Sequence, residues 1–338
     1  MKIAFINIYQ GLVNRGAEAF VKELSDLLRK DHTVDIFSGK RVPPTRWAIL
    51  WRLFVDPQGL LVAWFTLKLV PKILEEKYNV VIPLNGGWQV AIIRIITWLY
   101  GGKMVISGHS GIGWDDRNNL WCFPDVFIAL SSTALQWAKR ANPFVKVKYI
   151  PNGVDINKFC PSGETVKTKL KKPIILCVGA LTKTKRIDLA IRAVAKLKNV
   201  SLLVCGDGDL RSRIYDLGSK MLGDRFQLIK VPYEDMPKVY RAASVFTLVS
   251  EPYYSFETVL TEAMASGLPV IVNNDPIRKE IVADAGILVD PTDTGAYAKA
   301  LETVLNLDWG DKPQKQAEKF DWNKIAGEYE KLFGELFH

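Results

Sequence analysis

At 338 residues the chain is longer than one hydrophobic core ordinarily fills, which points to two domains. Its 48% hydrophobic and 24% charged residues are those of a folded globular protein, and no long low-complexity stretch marks it as disordered. A net charge of +9 favours acidic partners: nucleotides, phosphorylated substrates, anionic membrane or nucleic acid. The cysteines Cys122, Cys160, Cys177 and Cys205 form no C-x-x-C pair, and two lie inside apolar runs. This argues against a zinc site or disulfide framework and for a reducing, cytoplasmic setting.

The N-terminal half alternates strand and helix. KIAFINI (2–8) is a strand rather than the apolar core of a signal peptide. GLVNRGAEAFVKELSDLLRK (11–30) is a loop running into an amphipathic helix, and TVDIFSG (33–39) is the next strand. VVIPLNGG (80–87), KMVISGHS (103–110) and DVFIALS (125–131) are further strands, with helices over VAIIRIITWLY (90–100) and STALQWAKR (132–140). KVKYIPNGVD (146–155) closes this half. Continuous apolar strands alternating with helices imply a parallel sheet covered on both faces.

Residues 45–74 stand apart, holding Trp47, Trp51, Trp64, Phe54 and Phe65 beside Arg46, Arg52, Lys68 and Lys72. Two readings stay open for them: a helix pair lying on an anionic bilayer, or a covering helix packed on the sheet. No uninterrupted apolar run reaches ~18 residues, so no spanning helix is expected.

The second half starts the pattern again. Strands are expected at PIILCVGAL (173–181), VSLLVCGDG (200–208), FQLIKVP (226–232), SVFTLVS (244–250), LPVIVNN (268–274) and GILVD (286–290). Helices are expected at RIDLAIRAVAKLK (186–198), LRSRIYDLGSKM (210–221), MPKVYRAA (236–243) and from Ser255 to Gly267. This is a second doubly wound sheet, and ligands belong beyond the carboxyl ends of such strands. Two such domains would face each other across a cleft. The last segment, FDWNKIAGEYEKLFGELF (320–337), is an amphipathic helix with no strand after it, and it needs a surface to cover.

Several residues carry the chemistry of this pattern. Gly16 precedes a helix where free N–H groups can cradle an anion, or it is an ordinary helix start. His109 sits at the end of a strand before a Gly-rich loop. His32 reads as structural and His338 is terminal. Lys183, Lys185 and Arg186 crowd the loop after the first strand of the second half and suit a diphosphate, or form a solvated basic loop. The run GDGD (206–209) reads as a turn rather than a metal site, because no further acids cluster with it in sequence. In SFETVLTEAMASGLPV (255–270), Ser255 is the expected cap and Glu257 falls in the first turn. The N–H groups of Thr258 and Val259 are then placed to hold phosphate. Glu257 either helps hold a sugar or favours the helix dipole. Glu262, among small and apolar neighbours, needs a hydrogen-bonding partner, which ligand hydroxyls would supply.

Taken in order, YIPNGVDINKF (149–159), ILCVGALTKTKRIDLAI (175–191), LLVCGDGDLR (202–211) and TEAMASGLPVIV (261–272) resemble glycosyltransferase family 4, retaining enzymes of the GT-B fold. RGAE (15–18), the His109 loop and the closing helix add weaker likeness. The resemblance implies an α/β protein of two Rossmann-like, doubly wound domains. These would be an acceptor-side domain at 1–155, a nucleotide-sugar domain at 156–315, and a helix at 316–338 crossing back to the first.

It also implies transfer of a sugar from a nucleotide-diphosphate sugar, without metal or other cofactor and with retention at the anomeric carbon. The acceptor would be lipid-linked or a glycan precursor at the cytosolic membrane face, and nucleic acid is not expected as a partner. Lys185 matches the lysine that clamps the diphosphate. Glu262 matches the second glutamate of a pair and would hold the ribose. Gly16 matches a glycine near the phosphates, and His109 a histidine near the sugar. Gly179 and Gly206 fall in the matched donor-binding stretches. Two positions depart from the pattern. Ala180 stands where an arginine is usual, with Arg186 or Lys183 nearby to supply charge. Tyr254 stands where the first glutamate belongs, and whether Glu257 or Glu251 replaces it stays open. Two alternatives remain: a sugar-nucleotide epimerase of similar architecture, and a non-catalytic nucleotide-sugar-binding homologue.

Overall fold

A computed structural model describes residues 1–13, 16–44, 46–47, 50–253 and 255–337. The chain divides into two units, Met1–Asn152 with Trp322–His338, and Gly153–Asp321.

The first unit runs β1 (Lys2–Asn7), α1 (Gly16–Leu28), β2 (Thr33–Ser38), α2 (Pro57–Glu76), β3 (Val80–Pro83), α3 (Trp88–Tyr100), β4 (Lys103–Ser107), α4 (Trp114–Trp121), β5 (Val126–Ala129), α5 (Ser132–Ala141) and β6 (Val147–Tyr149). Its six strands are all parallel, in the order β2-β1-β3-β4-β5-β6. Ile3 to Ile6, Val80 to Ile82 and Val126 to Ala129 are buried, because helices cover both faces of a parallel sheet.

Helix α2 starts cleanly. Asp56 caps it by accepting the Gly59 N–H at 3.0 Å, and Pro57 takes the first turn, where its missing N–H costs nothing. Val62, Thr66 and Ile73 turn into the unit, and Ile73 joins its core. Trp51–Glu76, which takes in a short 3-10 turn before α2, holds an 18-residue stretch of mean hydropathy 1.4 and is by length and composition long and apolar enough to cross a membrane. The apolar sequence is interrupted by Lys68 and Lys72, so the helix meets that test by length and composition without an uninterrupted apolar run. Its few buried residues pack it into the first unit, chiefly beside α3.

The second unit runs β7 (Ile174–Val178), α6 (Ile187–Val194), β8 (Ser201–Cys205), α7 (Arg211–Leu222), β9 (Phe226–Ile229), α8 (Met236–Arg241), β10 (Val245–Leu248), α9 (Thr258–Ala265), β11 (Val270–Asn273), α10 (Pro276–Val282), β12 (Gly286–Val289), α11 (Thr294–Asn306) and α12 (Lys312–Ala317). Its strand order is β12-β11-β10-β7-β8-β9, again all parallel. The sequence reading named no helix at α4, α10, α11 or α12.

The closing helix α13 (Trp322–Glu335) belongs to the first unit. Its apolar stripe meets α1: the ring of Phe20 lies 6.0 Å from Trp322 and 5.9 Å from Tyr329. The Tyr329 hydroxyl reaches the Ser107 hydroxyl at 3.3 Å, at the end of β4.

Candidate functional site

In the second unit the strand order reverses between β7 and β10, which pair directly. The loops leaving their carboxyl ends therefore share one crevice, the usual ligand position in such sheets. The loop after β7 makes a 3-10 turn over Lys183–Lys185. The loop after β10 ends at Glu257, which caps α9. The two loops meet in an ion pair, Lys185 Nζ to Glu257 Oε1 at 2.5 Å.

Glu257 is the centre of a buried charge cluster. Oε1 also accepts from Ser250 Oγ at 2.5 Å, and Oε2 accepts from Arg278 Nη2 at 2.5 Å. Arg278, on α10, is fully buried, and its Nη1 lies 3.6 Å from Asp275 Oδ2. Burial alone would push the Glu257 carboxyl up, but Arg278 and Lys185 outweigh it and hold the group below the ordinary carboxylate range. The backbone pays a local cost for this placement. Glu257 has φ 59°, a left-handed conformation disfavoured for a residue with a Cβ.

This geometry corrects the sequence expectation. Helix α9 opens at Thr258, Ser255 does not cap it, and Glu257 is the N-cap without a side-chain cap bond. Its carboxylate is turned to Lys185, Arg278 and Ser250 and is not a first-turn dipole partner. Thr258 and Val259 are the first two helical residues, whose N–H groups have no acceptor within the helix. Tyr254 lies outside the described residues, as do Arg15 and His338. Glu251 is exposed, and its N–H donates to the Thr184 carbonyl at 2.8 Å.

Glu262 lies in the second turn of α9 and is 5% exposed. Tyr240, on α8, donates to its Oε2 at 2.6 Å, and the Tyr233 hydroxyl stands 3.5 Å from its Oε1. Nothing local in sequence pointed to Tyr240, which arrives from a short helix 22 residues earlier.

The other residues expected at the donor site are placed as follows. Gly179 and Gly206 donate their N–H groups to the carbonyls of Cys205 and Ile229, so these donors are spent on the sheet. A Cβ on Gly206 would stand 2.0 Å from the Gly179 carbonyl oxygen, so the two loops approach only because residue 206 is glycine. Arg186 directs Nε to the Val249 carbonyl at 2.7 Å and Nη2 to the Ser250 carbonyl at 2.6 Å, tying the two loops together. Lys183 is exposed. Asp207 of the GDGD turn pairs with Lys230 at 2.7 Å.

In the first unit the order reverses between β1 and β3. A polar network fills that point. Asn7 Nδ2 donates to Glu18 Oε1 at 3.1 Å, Asn85 Nδ2 donates to Asn7 Oδ1 at 3.2 Å, and the Asn85 N–H donates to Gln89 Oε1 at 2.8 Å. Glu18 Oε2 is buried and has no hydrogen-bond partner among the described residues. Gly16 is the first residue of α1, two residues before Glu18 of this network. Sequence reading had quoted RGAE without giving Glu18 a role.

His109 lies beyond β4, with its ring 4.4 Å from that of Phe20. Its Nε2 is buried and unpartnered among the described residues, and burial lowers its pKa to about 4. The loop that follows lies over Asp116 of α4. Burial pushes that carboxyl up to about 8, against the pull of the Asn119 amide and of the Gly111 and Ser110 N–H groups.

A third feature is a surface. On α2, Leu60, Trp64 and Leu67 are exposed on the same face as Lys68 and Lys72. On α3, which packs beside α2, Ile95, Trp98 and Leu99 are 58%, 61% and 73% exposed, more than a core helix allows. Lys68 lies over the Trp64 ring at 4.9 Å, and Arg94 over the Trp98 ring at 4.5 Å. The sequence reading left such a surface at 45–74 open beside a covering helix, and gave the helix at 90–100 no outward face.

Comparison with known proteins agrees with this frame. The family model described as Glycosyl transferases group 1 matches residues 164–322, and that described as Glycosyltransferase Family 4 matches residues 14–158. The chain belongs to the group 1 glycosyltransferases of the family 4 type, with the GT-B fold. An uncharacterized glycosyltransferase, MJ1607, of Methanocaldococcus jannaschii is 32% identical over 210 residues, 55% of this chain and 53% of that protein. A D-inositol 3-phosphate glycosyltransferase of Corynebacterium jeikeium is 28% identical over 221 residues, 56% of this chain and 52% of that protein. The chain thus spans about half the length of the relatives it matches. Among solved structures, sucrose-phosphate synthase from Thermosynechococcus elongatus superposes with a TM-score of 0.79 at 20% identity, covering 99% of each chain. Anabaena HepE in complex with UDP and glucose gives 0.77 at 18% identity, covering 99% of this chain and 100% of that one. Both likenesses concern the fold.

Proposed function

We propose that the protein is a retaining, metal-independent glycosyltransferase that moves a sugar from a nucleotide-diphosphate sugar to an acceptor hydroxyl. The observation that carries this reading is the meeting of Lys185 with the start of α9 at the reversal point of the second sheet. As the anomeric C–O bond breaks, negative charge gathers on the diphosphate. An ammonium and the N–H groups of Thr258 and Val259 are suited to meet it. The acceptor oxygen bonds to the anomeric carbon, and its proton goes to the departing diphosphate. Glu262 would take the ribose hydroxyls, with Tyr240 fixing its other oxygen. Relatives and fold neighbours support a nucleotide sugar: HepE and a pneumococcal O-GlcNAc transferase were solved with UDP. The polar network around Asn7, Glu18 and Asn85 is suited to acceptor hydroxyls, with Gly16 at its edge. Neutral His109 would offer the sugar a hydrogen-bonding edge without charge.

The test is a binding and hydrolysis screen of UDP-, GDP- and ADP-sugars in chelator. A donor that stabilises the protein and is slowly hydrolysed is the expected result. Epimerised donor instead of hydrolysis would replace the transferase with an epimerase. Binding without turnover, with acceptors present, would leave a non-catalytic homologue.

The acceptor is proposed to be lipid-linked and met at the cytosolic face of an anionic membrane. Two relatives carry names that include lipid acceptors, a phosphatidylinositol mannoside and a diphospho-undecaprenol glycan. Trp64 and Trp98 with Lys68 and Lys72 form an aromatic and basic face suited to lipid headgroups. Replacing Trp64 and Trp98 by serine is expected to weaken binding to phosphatidylglycerol vesicles at least about tenfold, since each buried ring contributes a few kcal/mol. Unchanged binding in a flotation assay would return these helices to a purely covering role.

A further inference from the structure

We propose that Glu257 and Arg278 form a buried counter-ion pair that holds the Lys185 ammonium and hands it to the donor diphosphate when the donor binds. The inference rests on the assignment of Lys185 to that diphosphate.

Three observations lead to it. Lys185 is engaged at 2.5 Å by a carboxylate, so a phosphate must compete with Glu257 for it. Glu257 keeps other partners when Lys185 leaves, because Ser250 serves the same oxygen and Arg278 the other. Arg278 is 0% exposed and its guanidinium does not deprotonate, so it is a permanent cation facing Glu257 and Asp275. The cluster therefore stays paired in both states, and Lys185 is its one member that can move toward solvent. Its side chain is 13% exposed, while those of Glu257 and Arg278 are 0% exposed. A glutamate held at φ 59° fits the same reading, since strain of this kind survives where surroundings fix the side chain.

Removing Arg278 should thus harm donor binding indirectly. Glu257 would then hold Lys185 as its remaining close cation among the described residues, and the diphosphate would lose the competition. Removing the Glu257 charge as well should free Lys185 again. Arg278 is a positioning residue in this account and touches no substrate.

The experiment measures binding of UDP, GDP and ADP by calorimetry, using whichever binds wild type most tightly. Arg278→Met is expected to weaken it about tenfold or more, and Arg278→Met with Glu257→Gln to restore it to within about threefold of wild type. Arg278→Lys, which keeps the charge, should stay close to wild type. A double variant no better than Arg278→Met, or an Arg278→Met that binds normally, overturns the proposal. A crystal of wild type with the nucleotide needs no variant to fold: Lys185 on the diphosphate with the Glu257–Arg278 pair intact supports it, and Lys185 still on Glu257 overturns it. If Lys185→Ala binds as wild type does, or no nucleotide binds, the assignment of Lys185 fails and takes the inference with it. If Lys185→Ala weakens binding and Arg278→Met does not, only the inference fails.

Discussion

Lys185→Ala is expected to lower kcat about 100- to 1000-fold with the fold intact, the loss typical when a group aimed at developing negative charge is removed. The fold should survive because Glu257 keeps Arg278 and Ser250 as partners. Glu262→Gln is expected to act differently. Its amide oxygen can still accept from Tyr240, so the buried hydroxyl is not orphaned. On the proposed reading, what is lost is a charged acceptor for ribose hydroxyls, which would be bound alike in ground and transition states. Donor KM should therefore rise about tenfold while kcat moves little. Steady-state kinetics at saturating acceptor separate the two. A kcat effect for Glu262 equal to that of Lys185 would place it at the reacting bond instead, and wild-type kinetics in both variants would remove the site.

The two sheets were legible because parallel strands buried on both faces are written as plain apolar runs, such as Ile174 to Val178. The crevice proposed for the donor was legible for the same reason, since it needs only the loops after two such strands. The partners within it were not. Strand order is a long-range fact, so nothing local says that the loop after β7 and the loop after β10 are neighbours. Arg278 sits in PIRKEIV beside Lys279 and Glu280, a stretch to which the sequence reading assigned neither helix nor role. Only the fold shows it fully buried against a carboxylate 21 residues earlier. The helix start at Ser255 was misread because serine is a good cap and glutamate a good first-turn residue, and the left-handed backbone at Glu257 leaves no trace in composition. Helix α3 was legible as a helix but its outward face was not: a helix apolar nearly all round normally marks a buried one, yet Ile95, Trp98 and Leu99 face outward.

Stability between pH 4 and pH 8 should show a plateau followed by a fall, set by two buried groups in the first unit. His109 titrates at about 4 when folded against 6.5 ordinarily, so below pH 6.5 the unfolded chain binds the extra proton and acid destabilises. Asp116 titrates at about 8 when folded against 3.8 ordinarily, so above pH 3.8 the folded chain binds the extra proton and base destabilises. From about pH 4 to 6.5 the two slopes oppose each other at about 1.4 kcal/mol per unit and cancel. Above pH 6.5 only Asp116 acts, and stability should fall by about 2 kcal/mol by pH 8. Asp116→Asn should abolish that fall and uncover the His109 slope, a loss of about 3 kcal/mol on going from pH 6.5 to pH 4. His109→Gln should instead give a decline running without a break from pH 4 to pH 8. Urea melts across the range test this, and a fall above pH 6.5 that persists in Asp116→Asn would assign it to other groups. At neutral pH both groups are uncharged in the folded chain.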